Sequence, residues 1–308
     1  MASVAVAERP IVLKQSLLRS PLRGVRPKKR IAFARKVTDS LFSVLFPSDC
    51  HICAEPLLNV SRLPVCPKCL ATIHPIRGKV CSICGECVLS SYTEADEDEL
   101  VRCPVCRRLR RPFSRAVAYG SYDGALRALV HLCKYDSIRP AAAVLGRMLA
   151  AAIATLQPAF THNPVLLIPV PLYKGKRHQR GFNQAELIAC CALDNLDASP
   201  LQLRIDILAR TRDTHSQIGL TSHQRRENLR GAFAVARAEE VTGRAILLVD
   251  DVYTTGTTVT ECAKVLRRAG AAQVWVATVA RTLKLASKYA EIARDEAEET
   301  AAETAVGS

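Results

Sequence analysis

The sequence contains neither G-x-x-x-x-G-K-[ST] nor G-x-G-x-x-G. The two usual ways of cradling a di- or triphosphate behind a first strand are therefore missing. It has no run of eighteen apolar residues, so no segment reads as a membrane-spanning helix. The first forty residues carry scattered Lys and Arg without a long apolar core or a clear cleavage site, and a cytoplasmic location is the expectation. Aromatic residues make up only 5% of the chain, and no stacking platform for nucleobases is evident. What is present is 308 residues, 49% of them hydrophobic, which is enough for about two domains with a sizeable core.

Basic residues outnumber acidic ones, 43 to 29, for a net charge of +14. That balance fits an anionic ligand, nucleic acid or an acidic membrane surface without choosing among them. Its distribution says more. Residues 11–36 and the stretch from Lys174 to Arg180 are basic, whereas the tail from Glu291 to Glu303 is mainly acidic. Residues 1–36 hold Pro10, Pro21 and Pro27 and show no sustained period, so a mobile basic extension is expected there. Val37, Leu41, Val44 and Leu45 recur at helical spacing, with Phe42 and Phe46 broadening the face. A short packed helix is expected to lead into the cysteines.

Nine of the thirteen cysteines fall between Cys50 and Cys106. Cys50-His51-Ile52-Cys53, twelve intervening residues and Cys66-Pro67-Lys68-Cys69 make a four-thiolate arrangement. Each C-x-x-C turn presents two sulfurs to one side, and two turns complete the tetrahedral shell of a structural zinc. Cys81 with Cys84, and Cys103 with Cys106, repeat the pattern across eighteen residues. Two zinc ribbons in tandem are expected, each closed to water and so structural. Cys87 forms a further C-x-x-C with Cys84 and competes with Cys81 as ligand; the Gly-Glu after Cys84 favours Cys81. Redox pairs are the competing reading of any single C-x-x-C.

Beyond the cysteines, helix and strand alternate. Ala125–Tyr135, Arg139–Thr155 and Asn183–Leu193 have helical composition, and Val165–Val170 and Gln273–Val279 read as strands. Ile246–Val249 is a continuous aliphatic run, as expected of a central parallel strand covered on both faces. The expectation is an α/β fold with a mainly parallel sheet, preceded by the small ribbon domain. Domain bounds are placed at 37–110 for the ribbons and 111–283 for the α/β domain, with 284–308 as an acidic Ala/Glu-rich tail.

The strand Ile246–Val249 runs straight into Asp250 and Asp251, and then into Thr254, Thr255, Gly256, Thr257 and Thr258. Ligands of open α/β sheets sit at the carboxyl ends of strands. There, two carboxylates can accept hydrogen bonds from neighbouring sugar hydroxyls, and the hydroxyl-rich turn opens a helix whose free amides and dipole attract an anion such as a phosphate monoester. A bare capped turn, or a Walker B strand, is the alternative reading of the same residues. Pro169-Val170-Pro171 ends another strand and leads to Lys176, Arg177, Arg180, Gly181, Asn183 and Gln184, read as an anion-binding loop on the same sheet edge. The segment from Arg210 to Arg230 reads as a long loop joined to a helix. Arg212, Gln217, Arg225 and Asn228 are its candidate ligand contacts.

The acidic pair and threonine turn resemble the phosphoribosyl pyrophosphate signature of type I phosphoribosyltransferases. That resemblance implies Asp250 and Asp251 on the ribose hydroxyls, residues 254–258 on the 5′-phosphate, and Mg²⁺ held largely by the substrate. With Lys134-Tyr135, Pro-x-Pro, Arg180-Gly-Phe-Asn-Gln184, Gln217-x-x-Leu220, Arg225-x-x-Asn228 and the Asp-Asp turn in this order, residues 40–282 resemble the ComF family. The resemblance implies pentosyl transfer with Asp250, Asp251 and Arg180 as its catalytic candidates, and an association with DNA uptake. A non-catalytic adaptor binding single-stranded DNA or competence-machinery proteins is the alternative. Neither the acceptor nor the oligomeric state is indicated.

Overall fold

The computed structural model describes residues 49–57, 63–88, 101–135, 138–160, 164–196, 200–214 and 221–283, all within one compact unit. The basic extension, the helix expected from Val37, Gln217 and the acidic tail lie outside the described residues.

Alternation along one strand organises the fold. In β6 (Ala245–Tyr253), Ala245, Leu247 and Val249 enter one buried cluster and Ile246 and Leu248 the other, because successive side chains of a strand point to opposite faces. A continuous apolar run is thus a strand covered on both sides. The sheet has five strands in the order β1-β7-β6-β2-β3. The flanking strands are β1 (Arg115–Ser121), β2 (Val165–Pro169), β3 (Leu201–Leu203) and β7 (Gln273–Arg281), and every pairing is parallel. A separate antiparallel pair joins β4 (Leu208–Arg210) to β5 (Phe233–Val235).

Helices supply the covering layers. On the Leu247 side lie α3 (Gly124–Lys134), α4 (Arg139–Ala154) and α6 (Gln184–Leu193). At Gly146 of α4 a Cβ would overlap Cys191 of α6, so the absence of a side chain sets how closely these helices pack. On the Ile246 side α8 (Thr257–Arg268) buries Val259, Cys262, Ala263 and Leu266, a single helical stripe. The cysteine modules divide the same way. Cys50, Cys66 and Cys69 join the first cluster, and Cys81, Cys84, Cys103 and Cys106 the second.

Two expectations differ from the structure. The basic stretch is a helix, α5 (Lys174–Arg180), ended by Gly181 at φ 75°, a conformation glycine adopts without strain. Arg210, expected in a loop, is the last residue of β4, whereas the helix expected in the Arg210–Arg230 segment is present as α7 (Ser222–Leu229), opened by a Thr221–Gln224 capping box.

Candidate functional site

Both cysteine modules are built alike. Cys50 N–H donates to Glu55 O and Ala54 N–H to Cys50 O; Cys81 N–H donates to Glu86 O and Gly85 N–H to Cys81 O. Ala54 and Gly85 both take positive φ, 58° and 71°. Each second cysteine pair opens a short helix through a Cys-Pro step: α1 (Pro67–Ala71) and α2 (Pro104–Arg108), where proline costs no amide bond.

In each module four sulfurs lie within 4.8 Å of one another: Cys50, Cys53, Cys66 and Cys69, then Cys81, Cys84, Cys103 and Cys106. Sulfurs held about 2.3 Å from a tetrahedral zinc stand about 3.8 Å apart. Cys50–Cys69 at 3.9 Å, Cys53–Cys66 at 3.7 Å and Cys84–Cys103 at 3.6 Å fit that edge. Backbone amides also point at sulfur, Cys66 N to Cys50 Sγ at 3.3 Å and Cys69 N to Cys66 Sγ at 3.4 Å, as anionic ligands favour. Both groups are compatible with zinc. Cys87 is in neither; it pairs with Val80 across the second knuckle.

The second site lies at the carboxyl end of β6. That strand continues through Asp250 and Asp251 to Tyr253, three residues beyond the acidic pair's first member and further than the aliphatic run alone indicates. Pleating separates the two carboxylates. Asp251 turns to α3, where Lys134 Nζ is 2.8 Å from its Oδ2, both side chains largely buried. Asp250 senses Arg210 of β4 and acts on Cys262 of α8. Burial, reinforced by the Asp251 charge, pushes the Asp250 carboxyl up to about 7, while Lys134 and the Asp251 amide 2.9 Å away pull it back. Burial opposes the Lys134 charge too, but Asp251 and Asp250 outweigh it and its pKa lies above the ordinary lysine value. Arg210 is held below its usual range by burial.

Thr254 to Thr258 wrap the start of α8. Gly256, at φ 71°, is its N-cap, and Thr255 Oγ1 lies 2.7 Å from Thr257 Oγ1. Asp250, Tyr253, Thr254, Gly256, Thr257 and Thr258 line a single small pocket. Arg225 of α7 reaches it, Nη1 to Thr254 Oγ1 at 3.3 Å.

Pro169 pairs with Val249 in register, so the Pro169–Pro171 exit emerges beside the acidic pair. Past it, half-buried Lys176 lies on α5, where Arg177 is 3.2 Å from Glu186 and Arg180 stacks 5.2 Å over the Tyr135 ring. Asn183 and Gln184 are buried in structural roles. Asn183 donates to Val170 O and accepts from Ala185 N–H as the cap of α6; Gln184 Nε2 donates to Lys134 O at 3.4 Å. Arg212 ties the end of α7 through Asn228 O and Arg230 O. Sequence reasoning did not single out Lys134 and Arg210 as site residues. Lys134 was visible as the end of a helix and as part of the Lys-Tyr step of the family pattern, with no signal that it meets Asp251.

A parallel five-stranded sheet with an acidic pair and threonine turn at the end of its central strand defines a phosphoribosyltransferase-type fold, and a model of the phosphoribosyl transferase domain matches residues 197–298. The chain is 32% identical to Competence protein F of Haemophilus influenzae over 225 residues, covering 70% of this chain and 96% of that one. It is 31% identical to DNA utilization protein YhgH of Escherichia coli strain K12 over 238 residues, 77% and 98% of the two chains. Competence protein ComFC of Bacillus subtilis is 26% identical over 209 residues, 68% and 80%. The chain belongs to the ComF family.

Proposed function

We propose that this chain binds phosphoribosyl pyrophosphate, or a related ribose 5-phosphate, at the end of β6, and serves the handling of incoming DNA in the cytoplasm. One observation carries the ligand reading: the Asp250 carboxylate and a positive-φ glycine turn rich in hydroxyls line one pocket at a helix N-terminus, with Asp251 the next residue along β6. In this reading Asp250 and Asp251 accept the ribose hydroxyls, and Lys134 fixes Asp251 and balances its charge. The amides and hydroxyls of residues 254–258 receive the 5′-phosphate, with Gly256 allowing close backbone approach. Lys176, Arg177 and Arg180 face departing pyrophosphate from α5 and offset its charge in a pentosyl transfer. Mg²⁺, held mainly by the substrate, would neutralise the pyrophosphate oxygens; Asp251, already paired with Lys134, fits that arrangement better than a protein-only cage. The names of the relatives, with competence and DNA utilization in them, support the DNA association.

Calorimetry with phosphoribosyl pyrophosphate and Mg²⁺ tests the ligand. Binding is expected, with loss of at least roughly a hundredfold in the Asp250→Asn, Asp251→Asn double variant; equal affinity in that variant rejects the assignment. Pyrophosphate release that depends on an added acceptor tests catalysis.

A second reading, a non-catalytic adaptor for single-stranded DNA, draws on Arg102, Arg107, Arg108 and Arg110, all exposed around α2. Affinity for an oligonucleotide should fall steeply with salt and with substitution of these arginines. Salt-independent binding counts against it.

A further inference from the structure

The phosphate turn does not stand alone on the sheet. Tyr253, 4% exposed, closes β6 just before the turn, and its phenol lies where a Cβ on Gly256 would fall. The ring therefore forms the floor of the turn. Across it sits Arg281, the last residue of β7, its guanidinium 4.9 Å from the ring centroid and the residue 3% exposed. Arg281 is fixed in turn by the second cysteine module: its Nη2 is 2.7 Å from Glu86 Oε2, and its Nη1 donates to Cys84 O. Thr282 N–H donates to Tyr253 O at 3.0 Å, locking the two strand ends together.

A second strut runs the opposite way. Arg111, just past α2, reaches Thr260 Oγ1 in the first turn of α8 at 3.4 Å. The module itself is pressed onto the sheet. Ala116 N–H donates to Ile83 O at 2.7 Å, and a Cβ on Gly85 would come within 2.9 Å of Ala116 O. The cysteines of the first module belong to the other buried cluster, with α3 and α4, and the described contacts give them no comparable route to the turn.

We propose that the second cysteine module positions the phosphate turn: its metal-fixed knuckle holds Arg281, Arg281 holds the Tyr253 ring, and the ring sets the backbone of residues 254–258. The assignment of the turn to a phosphate rests on the reading above; the mechanical coupling does not. Tyr253 acts through its ring face, because its buried hydroxyl has no hydrogen-bond partner among the described residues. Coupling is reciprocal, so an anion seated on the turn must also tighten metal at the second module by the same factor, and coupling energies of ordinary size correspond to about five- to 150-fold.

The experiment uses the full, zinc-loaded chain and amide hydrogen exchange. Tyr253→Leu and Arg281→Met are expected to speed exchange at residues 254–258 at least about fivefold, with α6 unchanged. Tyr253→Phe should match the parent. Tyr253→Leu leaves the Arg281–Glu86 contact in place, so it decides the matter if Arg281→Met loses zinc or fails to fold. Unchanged exchange at 254–258 in Tyr253→Leu, or equal acceleration in α6, overturns the proposal. In parallel, zinc release to a chelator should slow with phosphoribosyl pyrophosphate and Mg²⁺ for one of the two zinc ions only, and Tyr253→Leu should abolish the difference. Slowing of both ions or of neither, when calorimetry shows the ligand bound, also overturns the coupling. Failure of the parent to bind the ligand overturns the ribose reading alone, and the exchange measurement still decides.

Discussion

Asp250 carries the electrostatic tension of the site. A carboxylic acid whose folded pKa is raised keeps its proton where the unfolded chain has released it. Between the ordinary value of 3.8 and about 7, the folded state therefore binds more protons, and this group makes stability fall as pH rises across that window, then level off. Urea denaturation across about pH 4 to about pH 8 should show that slope, and Asp250→Asn should flatten it. Ligand affinity runs the other way, since hydroxyl groups donate to the ionised form. Binding of a ribose 5-phosphate should strengthen as pH rises through about 7, and the Asn variant should retain only the titration of the phosphate itself. Lys134 is the companion residue. Lys134→Met leaves Asp251 buried and unpaired, and unfolding free energy should drop by about 3 kcal/mol; a change below about 1 kcal/mol would mean the pair is solvated.

At the level of elements, the turn between β6 and α8 decides whether the pocket exists. Gly256 sits at φ 71°, with the Tyr253 phenol where a side chain would go. Gly256→Ala adds backbone strain of about 1 to 3 kcal/mol and forces the ring aside, so affinity for phosphoribosyl pyrophosphate should fall at least roughly tenfold while zinc content stays the same. Unaltered affinity would remove the turn from the site. The same elements mark how far the sequence could be read. β6, α8, α3, α4 and α6 were legible because long stripes and an unbroken aliphatic run leave one packing solution each. β3, β4 and β5, with three residues apiece, are too short for a period to register. Helix α5 was hidden because its residues, Lys-Gly-Lys-Arg-His-Gln-Arg, have no apolar face; the turn of Gly181 and the neighbouring strand end impose it. That Asn183 and Gln184 also brace the fold was not legible, because polar residues after a basic stretch carry no mark of burial. Only the fold shows them holding α6 and the end of α3.

On the scale of the whole molecule, the cysteine modules are part of both cores. Sulfurs of the first module pack with α3 and α4 on one face of the sheet, and those of the second with α8 on the other. A small module joined only by a linker would melt separately when its metal is withdrawn. Here, zinc in the two cysteine groups would brace residues packed on both faces of the sheet, and a structural zinc contributes about 10 kcal/mol or more to folding in isolated fingers, comparable with the net stability of an ordinary domain, about 5 to 15 kcal/mol. Chelation should therefore lower the melting temperature of the entire chain by about ten degrees or more, in one transition seen alike by Trp275 fluorescence, which reports the sheet interior, and by far-ultraviolet circular dichroism. Two separated transitions, with Trp275 indifferent to chelator, would instead mean that the modules and the sheet fold independently.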